Sequence, residues 1–419
     1  MSVTAITLGP EEQAIVQAIG MREASMIARV KAWSQVNSGS LHREGLDRQR
    51  ALLAEAFSDL GGDLQETALL PVSVVTADGQ QSTREFAPAL VLRQRPKAPI
   101  QVVLTGHYDT VFGTNHAFQN WQMLDDDTIN GPGTADMKGG LLVMLEALRA
   151  LEQSPHKDNL GYTVLISPDE EIGSPASAPL LAKFGAMADL GMTYEPALAD
   201  GSLSGARKGS GNFALIIRGK AAHAGREHHL GRNALVAAAS AVQALADLTG
   251  QREGLTINPA KIEGGGPSNI VPDLAIIRFN VRLGLPEDAK WAMGQFERIA
   301  KEVNALDGIA AELTGGFTRP PKPMAPPNAR LFEMTRAAGA ALGLEIRWRD
   351  TGGVCEGNNL WAAGCPNVDT LGVRGGSIHS AQEFAILSSL VERARLSAVL
   401  LLKFASGEFD AKSLKNLTS

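Results

Sequence analysis

Residues 100–111 read IQVVLTGHYDTV. Apolar side chains dominate up to Thr105, and a short run of this kind is the mark of a strand buried on both faces. His107 and Asp109 stand at its exit. Working outward, GPGTADMKGG (131–140) is a glycine-rich loop, LLVMLEALRAL (141–151) is helical, and YTVLISP (162–168) is a second buried strand. Strands alternating with helices predict an α/β fold built on a doubly wound, mostly parallel sheet. Upstream, Pro10 opens the helical pattern EEQAIVQAIGMREASMIARVKAWSQV (11–36), and a second helix is predicted over about Asp47–Leu60.

From about Arg207 the rhythm changes. The patterns predict strand Asn212–Ala222, helix Asn233–Leu248, strands Leu255–Glu263 and Ala275–Leu283, helix Glu287–Ala305 and strand Ile309–Gly315. That order, βαββαβ, is a ferredoxin-like unit. The proline-rich TRPPKPMAPP (318–327) reads as a linker, and helix–strand alternation then resumes. The closing EFDAKSLKNLTS (408–419) reads as a fraying tail. A small α+β domain, residues 207–320, is therefore expected inside a larger α/β domain formed by 1–206 and 321–419. A length of 419 residues agrees, being too long for one ordinary core.

A net charge of −6 leaves no basic footprint for nucleic acid or an anionic membrane surface. No apolar run approaches the ~20 residues of a membrane span. Cys355 and Cys365 lie in neither a C-x-x-C nor a zinc-ribbon spacing, which excludes a disulfide framework and favours a reducing compartment. The opening MSVTAITLGPEEQAIVQAI has no basic stretch ahead of an apolar one, so no signal peptide is expected and the cytoplasm is the expected location.

The chemistry-bearing residues are unremarkable one at a time. His107 would be a solvated histidine at a strand end, Asp136 a helix N-cap, Glu170, Glu171 and Glu195 surface acids, and His379 a loop histidine. The loop around Asp136 matches neither a phosphate loop nor a dinucleotide fingerprint. If the strand continues past His107, residues 107 and 109 share a face and Asp109 can back the imidazole. The acids of SPDEEIGS (167–174) crowd the exit of a buried strand, where like charges repel and lose solvent. Their joint occurrence changes the reading. All fall at strand exits or adjoining loops, where sites form in open α/β sheets. Mixed histidine and carboxylate ligands suit zinc or a similar divalent ion. Five ligands exceed one catalytic zinc with an open position and suit two ions, ~3.5–4 Å apart, sharing a carboxylate and a hydroxide.

The ordered set GHYDTV, GPGTADMKGG, DEEIGS, YEP, GKAAHAG, SNIVP and IHS resembles the co-catalytic zinc metallopeptidases and aminoacylases. That family includes glutamate carboxypeptidase, acetylornithine deacetylase and succinyl-diaminopimelate desuccinylase. The carboxypeptidase branch is the most similar, through GKAAHAG…LGRNALV, SNIVP and TGG…AAGCP. The resemblance implies two zinc ions per subunit, with cobalt or manganese as substitutes. It implies that Asp136 bridges them, with His107 and Glu195 on one and Glu171 and His379 on the other. Glu170 is then the general base acting on a bridging hydroxide, and Asp109 orients His107. A cis peptide between Asp136 and Met137 is also implied. The inserted domain becomes a dimerisation domain of a homodimer whose His223 reaches the partner subunit's site and stabilises the oxyanion. Asn269 and Arg282 then line the substrate cleft, and Arg319 holds a substrate carboxylate. The implied reaction is hydrolysis of an amide beside a free carboxylate, releasing a C-terminal residue such as glutamate. A deacylase of small N-acyl amino acids is the alternative. An inactive metal-binding protein is a third reading, set against by the retention of the base and every ligand. Some glutamate-specific relatives place a lysine soon after the last ligand acid. Leu203 and Ser204 stand there in this chain, with Arg207 and Lys208 beyond. Asp169, Cys355 and Glu356 are left without a role.

Overall fold

A computed structural model describes residues 6–417. The strand Ile100–His107 lies inside a six-stranded sheet. From edge to edge the order is Asp63–Thr67, Ala89–Gln94, Leu160–Ser167, Ile100–His107, Leu190–Thr193 and Asn367–Val368. The last four run parallel, and the first two are added antiparallel. Side chains alternate between two cores. Val102, Leu104, Val164 and Ile166 pack with the helices Gly140–Leu151 and Ser388–Ala405, while Val103 and Leu165 pack with Leu181, Phe184 and Leu360 of the opposite helices. Each such buried side chain contributes ~1.5–3 kcal/mol. Burial on both faces is why the strands read as unbroken apolar runs, and the doubly wound α/β expectation is met.

A second sheet joins five strands of two or three residues, among them Thr128–Asn130, Arg374–Gly376 and Phe384–Ile386. Strands this short carry no readable period, which is why the sequence gives no sign of them. The long N-terminal pattern is two helices, Pro10–Gly20 and Glu23–Ser34, and the next spans Arg43–Ser58.

Between Gly209 and Arg319 the chain forms four antiparallel strands and two helices in the order βαββαβ. The helix Ala234–Ala246 starts at Asn233, whose side chain accepts the Val236 N–H at 3.1 Å. Phe213, Phe279 and Phe296 pack ring on ring beneath the helices, in a core separate from those of the large sheet. The opposite face meets a hairpin of Val72–Val75 and Gln81–Arg84, where Arg278 Nη2 donates to Val75 O (2.9 Å) and Arg218 Nη2 to Gly79 O (2.6 Å).

Two expectations are corrected. The proline-rich stretch is no loose linker: Arg319 ends the strand Ala310–Arg319, and the next helix begins at Pro326. Between them Lys322 is fully buried and exchanges main-chain hydrogen bonds with Arg207 (2.8 and 2.9 Å). Nor does the C-terminal segment fray through its described part, because Phe409, Ala411 and Leu414 are buried. Residues 418–419 of that segment, and residues 1–5 of the opening stretch, lie outside the described residues. Among the described residues no helix is long and apolar enough to cross a membrane.

Candidate metal centre

The parallel strands deliver their polar residues to one end of the sheet. His107 is the last residue of its strand, Glu170 and Glu171 form a short turn beyond Leu160–Ser167, and Glu195 lies just past Leu190–Thr193. Asp136 enters from the glycine-rich loop ahead of Gly140–Leu151. Two glycines make this approach feasible. Gly133 takes a left-handed φ of 73°, and a Cβ on Gly140 would lie 2.0 Å from Tyr194 O, next to Glu195. The Asp136–Met137 peptide is cis.

The structure brings His107, Asp136, Glu170, Glu171, Glu195 and His379 together. His107 Nε2 lies 3.1 Å from Asp136 Oδ1, 3.8 Å from Glu195 Oε2 and 4.0 Å from Glu170 Oε2. His379 Nε2 lies 3.3 Å from Asp136 Oδ2 and 3.1 Å from Glu171 Oε2. The two oxygens of Asp136 thus face different histidines. His107 is fully buried, whereas His379 is 55% exposed and stands at the mouth.

Asp109 differs from the shared-face expectation. The strand stops at His107, so the chain turns and presents the Asp109 main-chain oxygen to His107 Nδ1 at 3.0 Å, nearer than its carboxylate at 3.4 Å. The carboxylate instead accepts the main-chain N–H groups of Glu170 (3.1 Å) and Glu171 (3.2 Å) and the Ser40 hydroxyl (2.7 Å). Asp169 also finds its place here: its Oδ2 accepts the N–H groups of Ala176 (2.7 Å) and Ser177 (3.1 Å), ahead of the helix Ala178–Met187.

Electrostatics make the cluster a candidate cation site. Burial alone would lower the pKa of His107, but Asp109, Asp136 and Glu195 push it well above the ordinary value. Hydrogen bonds to Asp136 and Glu171 push His379 up to about 11. Burial, then the charge of Asp136, raises Glu171 well above the carboxylate range, and burial raises Glu170 to about 7 against the pull of Arg319. The surplus of carboxylates draws protons where it would accept a dication. The donors also fit one. Ligand atoms of His107, Asp136 and Glu171, and of His107, Glu170 and Glu195, lie within 4.8 Å of one another, and Glu195 Oε1 is buried with no hydrogen-bond partner. Nitrogen and carboxylate donors together suit zinc or a similar ion.

The residues expected to touch substrate are placed differently from one another. Arg282 and Arg319 flank Ser210 across three neighbouring strands of the smaller sheet. Arg319 is buried: its Nη2 sits 2.8 Å from Glu170 Oε1, 3.0 Å from Glu170 O and 2.7 Å from Ser174 Oγ. Its first partner is therefore Glu170, a contact that sequence spacing could not foresee. Arg282 is half-buried, and burial followed by the charge of Arg319 lowers its pKa. His223 and Asn269 are exposed neighbours, bridged where Ala224 N donates to Asn269 O at 2.9 Å. No hydrogen bond or ion pair among the described residues joins His223 to the acidic cluster.

Several contributors were not singled out by motif. Glu356 is fully buried, its Oε1 bonded to the Ser167 hydroxyl at 2.5 Å, and burial raises its pKa well above the carboxylate range. Cys355 caps the same helix, accepting the Gly357 N–H at 3.3 Å, and burial raises its thiol pKa. Asp369 is buried between Arg207 (2.9 and 2.8 Å) and Lys322 (2.5 Å). Glu383 receives three main-chain N–H groups of the Asp136 loop.

The model of peptidase family M20/M25/M40 matches residues 103–403. The chain is 31% identical over 314 residues to carboxypeptidase G2 of Pseudomonas sp. (strain RS-16), an alignment covering 73% of this chain and 74% of that protein. It is 26% identical over 325 residues to succinyl-diaminopimelate desuccinylase of Nitrosospira multiformis, covering 73% and 83%. Among solved structures, a tripeptidase from Staphylococcus aureus superposes with a TM-score of 0.70 at 24% identity, covering 92% of this chain and 99% of that one. This last likeness is one of fold.

Proposed function

Because this chain belongs to peptidase family M20/M25/M40 and is thereby a metal-dependent peptidase or amidohydrolase, we propose that it hydrolyses an amide bond beside a free carboxylate, releasing a C-terminal amino acid. One observation carries the carboxylate. Arg282 Nη1 and Arg319 Nε are buried without a partner, and both guanidiniums lie within electrostatic reach of Glu170. Unsatisfied guanidinium N–H groups beside the reacting centre suit a planar anion.

In this reading His107, Asp136 and Glu195 would hold one divalent ion, and Asp136, Glu171 and His379 would hold a second, with zinc preferred and cobalt or manganese able to replace it. Bound there, such ions lower the pKa of water and polarise a carbonyl. Arg319 engages Glu170 Oε1, while Oε2 faces the cluster, 4.0 Å from His107 Nε2. Glu170 Oε2 takes the proton of the attacking water and passes it to the leaving nitrogen. Asp109 holds the turn that carries Glu170 and Glu171, through their main-chain N–H groups. His223 Nδ1 accepts the N–H groups of Gly225 (3.1 Å) and Arg226 (3.2 Å), which leaves Nε2 of this exposed residue to donate to an oxyanion. In this reading His223, exposed on the smaller domain, acts across a homodimer, with 207–320 as the dimerisation domain between catalytic segments 1–206 and 321–419. Asn269, beside His223, lines the same cleft.

Strict glutamate preference is not supported. Arg207 is locked to Asp369 and so is not free to meet a glutamate side chain, and Lys208 Nζ is turned to Gly254 O at 2.7 Å. A cavity of about 430 Å³ lined by Leu41, His42, Val111 and Ile172 opens beside Glu171. Its apolar rim favours, as second reading, a deacylase of N-acyl amino acids.

The test is an amide-hydrolysis screen of N-acyl amino acids and dipeptides, each with a free and an amidated C-terminus, with zinc, cobalt or manganese and with chelator. Turnover confined to free carboxylates and lost with chelator is expected. Equal turnover of the amidated substrates would overturn the carboxylate assignment, and the best acyl group separates carboxypeptidase from deacylase.

A further inference from the structure

The loops bearing Asp136 and His379 come from opposite ends of the larger domain, yet one side chain ties them together. Glu383 lies four residues after His379 and is fully buried. Its Oε1 accepts the main-chain N–H groups of Ala135 (3.0 Å) and Asp136 (3.1 Å), and its Oε2 accepts that of Gly133 (3.2 Å). Its own main-chain oxygen accepts Asn130 Nδ2 (2.7 Å) and Gly131 N (3.3 Å). Directly beyond it, Phe384 pairs with Asn130 in the short second sheet. Among the described residues no salt bridge reaches this carboxylate, and its one cationic neighbour, Lys138, acts on it only through space. Lys138, buried nearby, donates its Nζ to Trp33 O (3.0 Å) and Val36 O (2.7 Å) instead. A buried carboxylate with no ion-pair partner is costly to keep, and three convergent N–H groups are what offset that cost here.

We propose that Glu383 is a positioning residue for the metal centre. It clamps the main chain of the Asp136 loop to the His379 loop, and so fixes the direction in which the two Asp136 oxygens point. The geometry states the need for it. Asp136 Oδ1 must face His107 and Oδ2 must face His379, on opposite sides of one carboxylate. The Asp136 N–H that Glu383 accepts is one residue's own backbone from that carboxylate, so rotation of the loop would carry both oxygens away together. Without that carboxylate the remaining hydrogen bonds between the two loops are at Asn130 and Gly131, several residues short of Asp136, and His379 is itself 55% exposed. Partners that orient a metal ligand typically change metal affinity about 10–100-fold when removed.

This inference rests on the ligand set of the proposed reaction, and its test separates the two. Zinc affinity is measured by competition with a chromophoric chelator for the wild-type chain and for Glu383→Gln, and the visible spectrum of the cobalt-loaded protein is recorded for both. Glutamine keeps the shape but replaces an acceptor oxygen with an NH₂ that opposes an N–H. Zinc affinity about 10–100-fold weaker, with a changed cobalt spectrum and partial recovery in Glu383→Asp, is expected. Unchanged affinity and spectrum in a Glu383→Gln protein of lowered stability would reduce Glu383 to a fold-holding role and overturn the proposal. Absence of zinc binding by the wild type would overturn the ligand set as well. If Glu383→Gln does not fold, Asn130→Ala, which loosens the same junction, decides: a several-fold weaker zinc affinity supports the clamp and an unchanged one refutes it.

Discussion

Replacing Glu170 with glutamine removes one proton acceptor and leaves its surroundings nearly intact. Glutamine retains Oε1, so the contact with Arg319 Nη2 at 2.8 Å survives as a hydrogen bond. The main-chain bonds, Glu170 N to Asp109 Oδ1 at 3.1 Å and Arg319 Nη2 to Glu170 O at 3.0 Å, are untouched. Arg319 also keeps Ser174 Oγ at 2.7 Å. Loss of one charge from this buried pair should therefore cost ~1–3 kcal/mol of stability rather than unfold the site. What disappears is Oε2 as a base. General-base work is typically worth ~10²–10⁴-fold, or ~2.7–5.5 kcal/mol of barrier. The assay is steady-state hydrolysis of the best substrate from the screen, alongside metal content by atomic emission and a thermal melt. A kcat lower by about 10²–10⁴-fold at unchanged metal content is the expected result. Turnover within about tenfold of wild type, with metal retained, would refute Glu170 as base and leave it at most a ligand.

Two further predictions concern the frame and the assembly. Asp369 is fully buried; burial would raise its pKa, but Arg207 and Lys322 outweigh that and hold it at about 2. Because the folded value lies below the ordinary 3.8, its stabilisation is complete above pH 3.8 and is lost as pH falls through about 2. That linkage is worth on the order of 2 kcal/mol. Asp369→Asn should lower stability at pH 7 by ~3–5 kcal/mol in urea titrations and flatten the acid limb, and an unchanged urea midpoint would contradict the burial argument. For the assembly, His223→Ala and Glu170→Ala subunits, each inactive alone, should regain activity when mixed, because one site per dimer then holds an intact base and a partner histidine. No recovery in a verified heterodimer would sink action in trans.

The candidate metal-site residues were legible because each stands at a break in a pattern. His107 ends an apolar run, Glu170 and Glu171 end another, and Asp136 sits among glycines just before a helix. The expected pairing of Asp109 with His107 followed from strand periodicity and was refined because the strand stops at residue 107. Past that point, i and i+2 no longer share a face.

Sequence alone determined the two central parallel strands of the large sheet, the βαββαβ unit and the roster of candidate ligands, which are written in local spacing of apolar, polar and glycine residues, whereas the antiparallel strands Asp63–Thr67 and Ala89–Gln94 emerged only in the structure. Tertiary structure alone decided which distant groups meet. Arg207, Lys322 and Asp369 come from three separate segments to form one buried charge cluster. Arg319 crosses from the smaller sheet to Glu170, and Glu383 reaches back to the loop of Asp136. Such contacts leave no period in the chain. An isolated buried charge is costly wherever it lies, so its partner is set by packing in space and not by distance along the sequence.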